Sequence, residues 1–131
     1  MSDPPAGDVS HWLYHQPTGI LTAPDGSVAG AGYAGYGDGV NNPADEAIPD
    51  VGPIPHGRYS IGPAFTHPVC GPVAMRLEPL PGTDTHGRSG FLMHGDSSAM
   101  NHTASHGCII MARDIRLRVA ASAVRVLVVV G

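Results

Sequence analysis

The chain has 131 residues, 42% of them hydrophobic, and a net charge of −4, which is enough apolar material for one domain with its own core. All seven basic residues are arginines and they form no cluster, so no nucleic-acid partner is expected. The 18 glycines and 13 prolines punctuate short apolar runs without any period, a pattern of loop-rich β structure rather than disorder.

Met1 to Val9 is polar, carries two prolines and is expected to be a flexible leader, with a single domain over 10–131. No amino-terminal stretch joins positive charge to an apolar core, so no Sec-type signal peptide is expected. From Ser10 the chain reads strand, turn, strand, turn, strand. Trp12 and Tyr14 alternate with Leu13, Pro17–Gly19 breaks the run, and Pro24–Gly26 is a Pro-Asp-Gly turn. Trp12 and Tyr14 are read as core, His11 and His15 as surface.

Residues 35–55 are rich in turn formers and have little periodicity. A loop of about twenty residues is unusual in a compact domain and tends to be functional. It lines a groove or makes a long surface connection. Residues 56–62 and 73–80 follow as strands, the second placing Val73, Met75 and Leu77 on one side. Cys70 lies between prolines, away from any basic neighbour, and is read as a half-buried structural thiol. Phe91–Met93 is a buried strand that delivers His94. The only helical periodicity covers 111–124, with Ile115, Val119 and Ser122 on one face and arginines opposite. Val124–Val130 is a continuous apolar strand, expected to be central in a sheet and far too short to span a bilayer, so no membrane insertion is expected.

The chemistry concentrates between Phe91 and Met111, where His94, His102, His106 and Cys108 stand close in sequence. A cysteine thiol is mostly protonated at neutral pH and needs a histidine or converging backbone N–H groups to act as a nucleophile. Gly107 permits a tight turn that aims the Gly107 and Cys108 amides at one spot, as an oxyanion hole requires. His94 arrives from a separate strand as a base, and its imidazole needs holding by the other nitrogen, by the Gly95 carbonyl or by Asp96.

The run His94-Gly95, followed by Ser105-His106-Gly107-Cys108-Ile109, resembles the active-site signature of the L,D-transpeptidase (YkuD-type) catalytic domain. The segments GVNNP (39–43), GPIPHGRYSIG (52–62), GRSGFLMHGD (87–96) and SHGCIIMAR (105–113) are similar to the type VI secretion L,D-transpeptidase effector family, bacterial toxins that act on peptidoglycan. The resemblance spans about residues 10–130. It implies a mostly β, YkuD-type sandwich or barrel with one short helix after the nucleophile loop. It also implies Cys108 as nucleophile, His94 as general base and Gly95 as its orienting carbonyl, with Ser105, His106 and Gly107 shaping the loop.

Housekeeping members carry an arginine two residues after the cysteine, where this chain has Ile110, and a longer gap before the Ser-His-Gly-Cys run. Arg113 is the implied replacement for holding the substrate carboxylate, with Arg88 a second candidate and Asp96 a further substrate contact. For both arginines a solvated surface charge is the competing reading. The resemblance also implies peptidoglycan tetrapeptide stems as substrate, acyl transfer to water, a D-amino acid or a neighbouring stem, and no cofactor. It further implies a cognate immunity protein, a secretion apparatus and action in the periplasm of a target bacterium.

Two other readings compete. One is a zinc site built from His94, His106 and Cys108, with His102 four residues before His106. The other is a peptidoglycan-binding domain of the same fold that does not cut.

Overall fold

A computed structural model describes residues 11–95 and 107–131. The leader expected at 1–9 lies outside them. Among the described residues there are ten strands: β1 (Trp12–His15), β2 (Ile20–Thr22), β3 (Val28–Ala31), β4 (Tyr33–Ala34), β5 (Gly57–Ile61), β6 (Phe65–His67), β7 (Gly71–Pro79), β8 (Leu92–His94), β9 (Ile109–Ile110) and β10 (Val126–Val130). A helix, α1 (Arg113–Ala121), stands between β9 and β10.

The strand order is β3-β2-β1-β10-β5-β7-β8-β9-β4, with β6 pairing β7. The first and last strands of that order are neighbours in sequence, joined through Gly32 alone, so the sheet curls into a nearly closed barrel. Gly32 is where a side chain has no room: its Cβ would stand 1.7 Å from the Ile110 carbonyl oxygen. β10 is central, as its apolar run predicts. It lies parallel to β1, with Trp12 opposite Leu127, and antiparallel to β5, with Tyr59 opposite Leu127. Its side chains alternate, Leu127 and Val129 entering the core while Val126, Val128 and Val130 are half-buried.

Trp12 and Tyr14 are core residues, packed with Leu21, Tyr59, Met75, Leu77 and Met93. His11 is exposed, and His15, read as surface, is half-buried. The alternation in β7 holds for Met75 and Leu77. Val73, however, has a φ of +57°, and this irregularity puts Ala74 as well as Met75 in the core.

The helix is shorter than its periodicity predicts, and its arginines do not share one outer face. Arg116 is buried. Its Nε donates to the Met111 carbonyl at 3.0 Å and its Nη1 to the carbonyls of Pro72 at 2.8 Å and Val73 at 3.2 Å. A long side chain reaches past the helix surface to backbone oxygens, a use that apolar periodicity does not register. β6 was not expected, because Phe65–His67 has no alternation of its own and exists as the partner of a bulged stretch of β7.

Candidate active site

β8 and β9 run parallel, with Met93 opposite Ile109 and His94 opposite Ile110. Cys108 lies at a bend one residue before β9, and His94 is the last residue of β8. The Leu92 N–H donates to Cys108 Sγ at 3.3 Å, and the thiol faces the Gly90 carbonyl at 3.9 Å. Cys108 and Cys70 are both free thiols.

Cys108 as a residue is half-buried, but neighbouring atoms crowd the sulfur itself. That burial pushes the thiol up to about 11; the Leu92 N–H opposes the rise, Cys70 adds to it, and the positive charge of Arg88 draws it back. The resting sulfur is thus a thiol at neutral pH. Its nucleophilicity requires that a proton leave during attack. Burial likewise raises Cys70, which is half-buried as expected of a structural thiol.

His94 is 3% exposed, and its Nδ1 lies 2.8 Å from the Gly95 carbonyl. A carbonyl can only accept, so Nδ1 carries the hydrogen, which in the neutral imidazole leaves the lone pair on Nε2. The His94 carbonyl accepts from the Met111 N–H at 3.1 Å, tying β8 to the segment that begins α1. Gly95 must be small: a Cβ there would stand 2.8 Å from Arg116 Nη2.

The 35–55 stretch contains two 3₁₀ turns, Gly37–Gly39 and Pro43–Asp45. It is held by side chains that the sequence does not single out. The Glu46 carboxylate accepts from Gln16 Nε2 at 2.9 Å, from the His56 N–H at 3.1 Å and from the imidazoles of His56 at 2.8 Å and His86 at 3.0 Å. Burial opposes ionisation there, but the hydrogen bonds from Gln16, His56 and His86 win and hold the carboxyl down at about 2. Glu46 has no motif around it. Nothing in the sequence sets it apart from Asp38, Asp45 and Asp50 in the same stretch.

Arg88 is 8% exposed and so is not a solvated surface charge. Its guanidinium donates to the carbonyls of Glu46, Gly52 (3.0 Å) and Pro53 (2.9 Å), and lies 5.4 Å from the Phe91 ring centre. Arg113 is the exposed first residue of α1. Ile110, where housekeeping enzymes carry arginine, is buried in β9.

Residues 29–130 match the Tlde1 domain, a type VI secretion effector family. The chain belongs to the Tlde1 family. No curated protein matches it. Membership of this family makes the chain an effector domain and points to a secretion apparatus and a cognate immunity protein as partners. Among the described residues of this Tlde1 domain, no helix is long and apolar enough to cross a membrane. The structure therefore brings together His94, Gly95, Gly107, Cys108 and Arg88, and leaves Arg113 at the helix start. Asp96, Ser105 and His106, together with His102, lie outside the described residues, and the competing zinc set of His94, His106 and Cys108 is therefore only partly within them.

Proposed function

We propose that this domain is a cysteine-dependent acyl-transfer enzyme of the L,D-transpeptidase type, with a YkuD-like barrel, acting on peptidoglycan stem peptides. The observation that carries this reading is His94: an imidazole held through Nδ1 by its neighbour's carbonyl, at the end of the strand whose Leu92 N–H meets the Cys108 sulfur. That is the geometry of a base with its lone pair on Nε2. Membership of an effector family supports an antibacterial target.

In this reading Cys108 Sγ attacks the carbonyl of the third residue of a tetrapeptide stem, at its L-configured centre. The thiol proton passes to His94 Nε2 as the C–S bond forms. The tetrahedral intermediate then breaks its C–N bond, and the leaving D-alanine amine takes the proton from His94. Water or a free D-amino acid resolves the thioester, giving hydrolysis or exchange. Because burial raises the thiol, the proton transfer accompanies attack instead of preceding it. Arg113, exposed beside the site's exit strand, is the candidate for the substrate carboxylate. The reaction takes place in the periplasm of the target cell, and the immunity protein blocks the groove.

Incubation with purified disaccharide tetrapeptide, followed by mass spectrometry, tests the reading. Wild type is expected to release D-alanine and Cys108→Ala none. Absence of release from wild type, from neutral to alkaline pH, would sink it.

A further inference from the structure

Gly107 has a φ of +123°, and a Cβ built on it would stand 2.2 Å from Arg88 Nη2 and 3.5 Å from the Gly52 carbonyl oxygen. The backbone just before Cys108 therefore lies directly on a buried guanidinium and on one of the carbonyls that guanidinium holds. The loop that supplies those carbonyls is itself folded tightly. Gly52 N–H donates to the Ile48 carbonyl at 3.0 Å, and a Cβ at Gly52 would stand 1.7 Å from the Asp45 carbonyl oxygen. Glu46, Gly52 and Pro53 thus converge on one planar fork.

We propose that Arg88 is a positioning residue of the Cys108 site: its guanidinium clamps the 46–53 loop against Gly107 and so fixes the turn that presents the thiol. This role is distinct from holding a substrate carboxylate, and its catalytic consequence rests on the acyl-transfer reading above. Burying a guanidinium on carbonyls costs solvation, and burial does lower its proton affinity, while Tyr59, Asp50, Cys108 and Glu46 favour its charge. The Phe91 ring adds a further favourable face. The same charge is felt at the sulfur, which gives a readout that a purely structural arginine would not move.

Arg88→Lys keeps a charge but loses the planar fork; Arg88→Met loses both. Below the thiol's titration, the rate of Cys108 alkylation by iodoacetamide follows the thiolate fraction, so each unit of pKa is about a tenfold change in rate. Arg88→Met is expected to alkylate about three- to tenfold more slowly than wild type at a fixed pH, and Arg88→Lys within about twofold. Both are expected to lose at least about tenfold in D-alanine release, because a displaced nucleophile loop misplaces the attack. Melting curves establish that each variant is folded. Wild-type alkylation by Arg88→Met, or wild-type turnover by Arg88→Lys with only a lower melting temperature, overturns the proposal. Where Arg88→Met does not fold, Arg88→Lys turnover alone decides it. Wild type that releases no D-alanine while Arg88→Met still alkylates slowly would overturn the acyl-transfer reading and leave the positioning role standing.

Discussion

Beside α1, Arg116 and Arg125 donate to backbone carbonyls: Arg116 to Met111, Pro72 and Val73, and Arg125 to Ile61 at 3.2 Å, Val119 at 3.1 Å and Ser122 at 3.2 Å. Beside Cys108, Arg88 does the same for Glu46, Gly52 and Pro53. In both places a guanidinium supplies donors to backbone carbonyls, a need every buried carbonyl has. The difference lies in what stands next to the fork. Around Arg125 it is the end of a helix and the bend between β5 and β6, while Arg116 also borders Gly95, whose carbonyl holds His94. Around Arg88 it is a glycine joined to a cysteine. One device thus serves a structural end at Arg125 and borders the candidate site at Arg88 and Arg116.

The widest separation between the two regions is expected from a pair of variants. His94→Gln should lower D-alanine release by on the order of 10²–10⁴-fold with the melting temperature little changed, since it removes the base and keeps a polar side chain. Arg125→Met should do the reverse. It removes a donor from the carbonyls of Ile61, Val119 and Ser122 and is expected to cost about 3 kcal/mol in urea denaturation, with turnover per folded molecule within about tenfold of wild type. A loss of turnover in Arg125→Met as large as that in His94→Gln would erase the distinction.

A smaller effect tests the loop beside Arg88. The Glu46 carboxyl is held down at about 2 in the fold against an ordinary value of 4.5. Its contribution to stability is therefore complete above about pH 4.5 and is lost as the pH falls through about 2. Urea midpoints measured down that range should fall for wild type and stay flatter for Glu46→Gln, which cannot titrate. Parallel curves for the two proteins would remove Glu46 as the loop's anchor. The smallest effect, of opposite sign, lies in the core shared by both regions. The hydroxyl of Tyr14 and the indole N–H of Trp12 are buried with no hydrogen-bond partner among the described residues. Tyr14→Phe is expected to be neutral or to stabilise by about 1 kcal/mol in the same assay, because it removes a desolvated hydroxyl that gains nothing.

Much of the barrel could be read from the chain. Trp12 and Tyr14, the Pro-Asp-Gly turn, and Met75 and Leu77 follow from period-two alternation and turn chemistry, and the central place of Val126–Val130 follows from its continuous apolar run, all of which are local. β6 and β9 could not be, because Phe65–His67 and Ile109–Ile110 carry no alternation of their own and exist through their partners. Within the candidate site, His94, Gly95, Gly107 and Cys108 stood out because nucleophile chemistry restricts which residue types serve and because the resemblance supplies their order. Glu46 and the buried Arg116 were not. Each acts by reaching atoms far away in the chain, Glu46 the side chains of Gln16 and His86 and Arg116 the backbone of Pro72 and Val73, and no local pattern encodes such reach. Arg88 was visible as a charge but not as a buried one.

The pairing of Val126–Val130 with both Trp12–His15 and Gly57–Ile61 has a kinetic consequence. The chain is made from its amino terminus, so neither of the earlier strands can complete its ladder until more than half of the sequence has followed it. Contacts so distant along the chain make for slow folding. The domain must therefore acquire its tertiary structure after synthesis of this strand, and a ribosome-bound fragment that stops short of it holds two apolar strands with nothing between them.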